Sequence, residues 1–163
     1  MKLARIIMGL TCMFLLGACT DSPMFFQYKP VNAMGWQSCD SVVFKLPEVE
    51  EDTPCDVSVC IRSLRSYRYQ DLALVVKLKE GRTVVCTDTV KYRMLSDDGE
   101  SMGEGLSFME YDMPIKHRYT LKPDKKYKVK ITHIMRLDPL DGVSEVGLSI
   151  ASSHFAQHPF SGR

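Results

Sequence analysis

The chain has 163 residues, of which 45% are hydrophobic and 25% charged, and its formal net charge is +1 at pH 7. This length suits one domain whose core needs no disulfide or metal to hold it. The balanced charge excludes the strongly basic surface of a typical nucleic-acid-binding protein, because the one basic run, 122–130, is diluted by acidic and apolar residues.

The first nineteen residues have the pattern of a bacterial lipoprotein signal. Lys2 and Arg5 precede an eleven-residue, largely apolar run at 6–16. A spanning helix takes about 20 apolar residues, so this run matches the central region of a secretory signal instead. It ends in Leu16-Gly17-Ala18-Cys19, an order that resembles a lipobox, in which the cysteine is lipidated and becomes the new N-terminus. We predict a signal peptide at 1–18 and a membrane anchor on Cys19, where two or three acyl chains would hold durably.

Three segments are expected in the mature chain. They are a lipidated tether at 19–30, a β-sandwich domain at 31–152 and a loose tail at 153–163. Removal of the signal would leave 19 basic against 20 acidic residues, a net charge of −1. Phe25, Phe26 and Tyr28 are too apolar for a free linker, and we expect them to dock on the domain.

Alternation of apolar and polar residues with period two predicts strands throughout the mature chain. None of its segments has a helical stripe of useful length, and Gly, Pro or Asp separates the runs. The pattern predicts an all-β protein, a single antiparallel β-sandwich of the jelly-roll or immunoglobulin-like kind. The strands are expected at 41–46, 55–64, 72–78, 84–90, 106–113, 115–121, 126–136 and 143–151.

Four cysteines remain after export and lipidation, at positions 39, 55, 60 and 86, and their spacings do not form a zinc pattern. Cys55 and Cys60 lie about 16 Å apart on one expected strand, on opposite faces, whereas a bridge needs Cα atoms within about 7 Å. They should not pair with each other. If bridges form, Cys39 and Cys86 must be the partners.

The sequence shows no motif for catalysis, metal or cofactor binding. His133 lies on an apolar strand face and is expected in the core, whereas His154 and His158 have i, i+4 spacing in the tail without a third ligand, and His117 is isolated. Asp97-Asp98-Gly99 predicts a turn rather than a calcium loop. No G-x-S-x-G elbow occurs. Paired carboxylates for glycoside hydrolysis stay open, since they leave no local motif.

An ordered set of residues is similar to the GldH family of Bacteroidetes, gliding-motility lipoprotein H. The C-terminal part carries Met135-Arg136-x-x-x-Leu140-x-Gly142-Val143-x-x-Val146-Gly147-Leu148-x-Ile150, and a glycine segment carries Asp98-Gly99-x-x-x-Gly103-x-Gly105. Earlier positions fit in order: Trp36, Asp40-x-Val42-x-Phe44, Ile61-Arg62, Tyr67-x-Tyr69-x-x-Leu72 and Lys126-Tyr127. The family often has Trp where this chain has Ser101, which would weaken any contact that the aromatic makes.

The resemblance implies a lipoprotein of the gliding apparatus or of related envelope machinery, without catalysis or cofactor. Its partners would be the membrane, through lipid on Cys19, and proteins of gliding or secretion machinery, with no nucleic acid and no small-molecule substrate. The candidate contact residues lie in two turns, at 98–105 and 136–143, because loops on a rigid scaffold commonly carry binding residues. They are Arg136, Gly99, Gly103, Gly105, Leu140 and Gly142.

Two alternatives stay open from the sequence. Arg136 either contacts a partner or pairs internally with Asp138 or Asp141. The protein either serves an envelope machine or is a surface sandwich that binds glycan or acts as an adhesin. Trp36 stands at a strand start, where packing is the default, which favours the first role. Asp21 is followed by Ser22, Pro23 and Met24 rather than by an acidic run, which favours the periplasmic face of the outer membrane.

Overall fold

The computed structural model describes residues 23–153 and shows an all-β chain over that range. The signal peptide, Cys19 and the tail beyond Ser153 lie outside the described residues. Within 23–153 no helix is long and apolar enough to cross a bilayer. The strands are β1 Phe25–Pro30, β2 Val42–Lys45, β3 Thr53–Ser63, β4 Asp71–Glu80, β5 Thr83–Arg93, β6 Met109–Pro114, β7 Tyr119–Leu121, β8 Tyr127–His133 and β9 Val143–Ser152.

Two antiparallel sheets pack face to face, which confirms the predicted β-sandwich. The first sheet has the order β1-β9-β3-β6, with β7 also pairing with β3, and the second has the order β2-β8-β4-β5. In the register of the first sheet, Val59 on β3 pairs with Leu148 on β9. In the second, Val76 on β4 pairs with Ile131 on β8. Since paired residues share a face, both pairs point into the core.

The core follows directly from the period-two pattern. Alternate residues of β3, such as Val59 and Ile61, and of β4, such as Leu72 and Leu74, are fully buried. Burying one such side chain contributes about 1.5–3 kcal/mol, and a one-residue slip in register would expose all of them on a strand. The hydrophobic pattern therefore determines both the sheets and their facing sides.

The connections gather at two ends of the sandwich. Those at 31–41, 64–70, 94–108 and 134–142 lie together at what we call the loop end, and those at 46–52, 81–82, 115–118 and 122–126 lie at the opposite end. β1 runs from the opposite end towards the loop end, since Phe25 pairs with Ile150 and Pro30 with Glu145. The chain therefore enters the domain from the side away from the loop end.

Four segments differ from the sequence expectation. β7 covers only Tyr119–Leu121 rather than 115–121, and β8 ends at His133 rather than at 136. β1 lies in the sheet, paired with β9, although the sequence placed these residues in the tether; Phe25 packs edge-on against Phe44, with ring centres 6.4 Å apart. β6 begins at Met109 rather than at 106 because Glu104 and Glu110 pair and close the chain between them into a loop. The four described cysteines are free thiols, and Cys55 faces the core while Cys60 faces outwards on β3.

Candidate functional site

Hydrogen bonds join the connections of the loop end to one another. The 64–70 connection lies between the two stretches that the sequence singled out. Arg65 Nε donates to the carbonyl of Leu106 at 2.9 Å, and the Leu64 amide donates to the carbonyl of Gly142 at 2.8 Å. Gln70 Nε2 also donates to Asp97 Oδ1 at 3.1 Å. The structure thus brings the glycine segment and the 136–143 turn onto one surface, through a third loop that the sequence did not single out.

The 31–41 connection closes the other side of this end. Trp36 and Leu140 exchange backbone hydrogen bonds of 2.9 and 2.8 Å. The indole of Trp36 is 1% exposed and donates to the carbonyl of Asp40 at 2.7 Å. Trp36 is therefore a core residue that fastens the loop end, as its position at a strand start suggested.

Arg136 is exposed and makes no hydrogen bond or ion pair with any residue of the described range 23–153. Its proposed internal partner Asp138 instead accepts hydrogen bonds from the Ser38 amide at 2.9 Å and from the Ser38 hydroxyl at 2.5 Å. The turn is thus braced by Asp138 and Ser38, and the guanidinium of Arg136 is free to meet another molecule.

Leu140 is a correction to the candidate contact residues. The sequence grouped it with the exposed turn, but its side chain is completely buried and belongs to the hydrophobic core. The backbone pairing with Trp36 turns this residue inwards. Leu140 therefore packs beneath the loop end and is not exposed on it.

The candidate glycines shape the loops. At Gly103 a Cβ atom would lie 2.7 Å from Cζ of Tyr111, and at Gly142 it would lie 2.9 Å from the Cα of Tyr67. Gly105 has φ +132°, and a Cβ atom there would lie 2.1 Å from the carbonyl oxygen of Phe108, so only glycine fits this reversal. Gly99 has φ +81° in an exposed turn with open space around it. Of the four, Gly99 is the one with room for an approaching partner.

Exposed apolar side chains are concentrated at the loop end. The described residues include eleven large hydrophobic side chains that are exposed, and seven of them belong to its four connections. Leu106 is the extreme case, 88% exposed. Exposed apolar side chains that form a contiguous patch often mark interaction sites. Sequence reasoning missed it because Leu106 and Phe108 were assigned to a strand. The seven residues are Met34, Leu64, Met102, Leu106, Phe108, Ile134 and Leu137.

The described histidines have structural roles. His133 is buried, as predicted, and its Nε2 lies 2.9 Å from the carbonyl oxygen of Trp36. Burial lowers its pKa, and the Trp36 carbonyl and the Asp138 carboxylate oppose that effect only in part. A neutral ring that donates to Trp36 therefore joins β8 to the 31–41 connection.

His117 and Tyr119 both hydrogen-bond the buried carboxylate of Asp88, which joins the edge strand β5 to β7 of the other sheet. Burial by itself would raise the pKa of Asp88, but the hydrogen bonds from Tyr119 and His117 outweigh it, and the net pKa is lowered. Among residues 23–153 no three His, Cys, Asp or Glu side chains are placed to hold a metal ion. The hydrogen bonds of His117 and Tyr119 to Asp88 stabilise the sandwich, and they lie away from the loop end.

The family model for the GldH lipoprotein matches residues 23–150. The chain belongs to the GldH lipoprotein family. It is 27% identical over 148 residues to the gliding motility lipoprotein GldH homolog of Christiangramia forsetii, covering 85% of this chain and 90% of that protein. It is also 27% identical over 143 residues to gliding motility lipoprotein GldH of Flavobacterium johnsoniae, covering 83% and 89%. GldH is a family of cell-envelope lipoproteins and is not a known enzyme family.

Similarity to solved structures is low. A ruminal GH26 endo-β-1,4-mannanase aligns with a TM-score of 0.41 and 12% identity, over 86% of this chain and 22% of that one. The latent PorU of Porphyromonas gingivalis aligns with a TM-score of 0.35 and 9% identity, over 83% and 14%. Similarity this low does not identify a shared activity.

Proposed function

We propose that this GldH protein is a non-enzymatic lipoprotein that binds another protein of the motility or envelope machinery through the loop end. Lipid on Cys19 would hold it at the outer membrane, on the periplasmic face. The observation that carries the proposal is the concentration of exposed apolar side chains at the loop end, beside the unpaired cation of Arg136. An aromatic and aliphatic patch with an arginine at its side is typical of protein–protein contact.

The direction of the chain supports this assignment. β1 begins at the opposite end and runs towards the loop end. Cys19 precedes Phe25 by six residues, which span at most about 20 Å when extended. An anchor on Cys19 would therefore hold the opposite end nearer to the membrane and leave the loop end directed towards the periplasm, where a partner can reach it.

Within this surface the residues have distinct roles. Leu106, Phe108 and Leu137 offer apolar area, and Arg136 offers a planar guanidinium that can bind a carboxylate with two parallel hydrogen bonds. Gly99 leaves the tip of the glycine segment open. Gly103, Gly105 and Gly142 hold the loops in shape, as Leu140 does from the core.

The test replaces exposed residues whose loss costs the fold little. Leu106→Asp and Arg136→Ala are each expressed at native level, and neighbours are captured by crosslinking in intact cells before affinity purification. Because a buried charge or a lost ion pair weakens an interface strongly, both variants should lose at least about tenfold of the crosslinked envelope protein that wild type captures.

Val85→Asp is the matched control, since Val85 is exposed on β5 near the opposite end. It should keep both its melting temperature and its partner. The proposal fails if the two loop-end variants retain wild-type crosslinking at unchanged melting temperature, or if Val85→Asp loses as much as they do.

Trp36, the one tryptophan of the chain, gives the glycan-binding alternative no support. Sugar rings stack on exposed aromatic faces, and Trp36 is buried with its indole nitrogen bonded within the protein. The loop end offers mainly aliphatic side chains. The exposed side chains of the loop end therefore favour protein contact over glycan binding.

A further inference from the structure

A concave surface lies on the outer face of the first sheet and borders the loop end, with which it shares Met102. It is an open groove of about 720 Å³ between β1 and the β6 side of the sheet, and we call it the acidic groove. Its floor includes Cys60 on β3 and Ser149 on β9. One wall carries Phe26 and Tyr28 of β1, and the other carries Glu110 and Asp112 of β6 with Met102 and Glu104 beside them.

The charged side chains that line the groove are all acidic. Three carboxylates line it, and of the described residues no Lys or Arg does. Arg62, the nearest cation in the register, is shared between Glu110 and Glu145 at 2.8 Å each, so it leaves an excess of negative charge. Within residues 23–153, Glu104 and Asp112 have no basic side chain within ion-pair distance.

The β1 wall is apolar and available. Phe26 is 55% exposed and meets Tyr28 edge-on with ring centres 5.3 Å apart. Across the groove, Met102 lies beside the carboxylates and is 53% exposed. The guanidinium carbon of Arg62 already lies 3.9 Å from the centre of the Tyr28 ring. The wall thus accepts a stacked guanidinium within the protein itself, as expected from the negative face of an aromatic ring.

We propose that the acidic groove binds an extended, lysine- or arginine-bearing segment of a partner protein. The floor spans three strand spacings from β1 to β6, about 14 Å, which admits one extended chain whose side chains reach both walls. A Lys or Arg side chain would lay its methylene stem on Met102 and place its cationic head against Glu104 and Asp112, while an apolar side chain of the same segment would contact Phe26. Ordinary charge complementarity would select the basic segment over an acidic or neutral one.

Two other ligands fit less well. A neutral sugar gains nothing from the excess charge, and Arg62 already covers a face of Tyr28. An amine lipid headgroup would need the groove near the bilayer, whereas Glu110 pairs with Arg62 next to the loop-end terminus of β3. With an anchor at the opposite end, as proposed above, Glu104 and Glu110 would lie at the end of the groove farther from the membrane. This inference concerns the sheet face and is tested independently of the loop-end proposal.

The experiment uses the full lipidated protein in detergent and two labelled peptides, Ac-Arg-Val-Lys-Val-Arg-amide and its neutral counterpart Ac-Gln-Val-Gln-Val-Gln-amide. Fluorescence anisotropy should show saturable binding of the basic peptide and at least about tenfold weaker binding of the neutral one, a difference of about 1.4 kcal/mol. Raising the salt concentration from about 0.05 to about 0.5 M should weaken the binding of the basic peptide, because salt screens its attraction to the carboxylates.

Groove variants then locate the binding. The double variant Glu104→Gln/Asp112→Asn and the single variant Phe26→Ser should each lose at least about tenfold in affinity, with melting temperatures near wild type. The matched control Glu50→Gln/Asp52→Asn removes the same two charges from the 46–52 connection at the opposite end and should bind as wild type does. Arg136→Ala should also bind normally, so that the two proposals fail separately.

Several outcomes would overturn the proposal. They are no saturable binding of the basic peptide up to about 1 mM, equal affinity for the neutral peptide, or equal losses in the groove and control variants. Tighter binding of cellohexaose would replace the basic segment with a glycan. Tighter binding of phosphatidylethanolamine vesicles, lost in the groove variants, would replace it with a lipid.

Discussion

The phenol ring of Tyr28 on β1 lies so close to Gly147 on β9 that a Cβ atom at position 147 would be 2.7 Å from its Cε1. The two residues are direct partners across the sheet. Arg62 lies over the face of the same ring, and burial is the main cause that raises the pKa of Tyr28 to about 12. Glycine is required here by the ring of its neighbour, and not by its own backbone angles.

Gly147→Ala should therefore destabilise the fold by about 1–3 kcal/mol, the usual cost of inserting a methyl group where there is no room. The ring must move, and it would then lose its contact with Arg62. Urea unfolding followed by tryptophan fluorescence would measure the change.

A double-mutant cycle checks the cause. In a Tyr28→Ala background the ring is absent, so Gly147→Ala should cost markedly less than it does in wild type. An equal cost in both backgrounds would point to the Cys60 side, where the added Cβ atom would lie 3.0 Å from the Cys60 Cβ.

Asp88 should make stability depend on acid pH. Its net pKa is lowered in the folded state from the ordinary 3.8, so its stabilisation is present above that value and is lost as the pH falls through the lower folded pKa. Asp88→Asn should lose about 1–3 kcal/mol at pH 7, because Tyr119 and His117 lose a charged acceptor. Unfolding curves between about pH 2 and pH 7 should then converge at the acid end, whereas parallel curves would show that Asp88 does not titrate with folding.

His133 predicts a second, milder pH dependence. Burial lowers its pKa below the ordinary 6.5, so the folded state prefers the neutral ring. Its contribution is complete above about pH 6.5 and is lost as the pH falls through the lower folded pKa. His133→Gln keeps a donor for the Trp36 carbonyl and should flatten the stability profile between about pH 5 and pH 7. A variant whose profile in that window matches wild type would assign the dependence to another group.

Anchoring should depend on Cys19. Cys19→Ala removes the thiol that would carry the lipid, and the protein should appear as a soluble periplasmic form or as an uncleaved precursor. Fractionation with mass spectrometry distinguishes these from the wild-type membrane form. A Cys19→Ala protein that stays with the outer membrane and shows the same mass increase as wild type would contradict the lipobox assignment. Cys39→Ala is the matched control, since Cys39 is an exposed free thiol within the domain.

The strands could be predicted from the sequence because their signal is local. In β8, Val129 and Ile131 face inwards between polar neighbours, and this alternation is visible without knowledge of the rest of the chain. β1 escaped prediction because its residues do not alternate in burial: it is an edge strand, and both faces of Phe25–Pro30 are partly exposed. The family was also accessible from the sequence, through short motifs in a constant order.

The candidate site could be predicted only in part. Arg136 and Gly99, which the sequence assigns to partner contact, are exposed, and their contact role stays a prediction. Leu140 was assigned to the same surface and lies in the core. In a turn, one residue's direction depends on the element that packs against it, here Trp36, which is distant in sequence. Local pattern carries no information about such a neighbour.

The sequence by itself predicted an export signal and determined the all-β architecture and the family, because the lipobox, the strand alternation and each family motif can be recognised within a short stretch of the chain. Only the tertiary structure decided which side chains share a surface. It gathered Leu106 and Leu137 at one end of the sandwich, and it placed Phe26 opposite Asp112 across a sheet groove. Both arrangements arise from antiparallel pairing between strands distant in sequence, which brings alternate loops to the same end and aligns side chains across strands regardless of their separation along the chain.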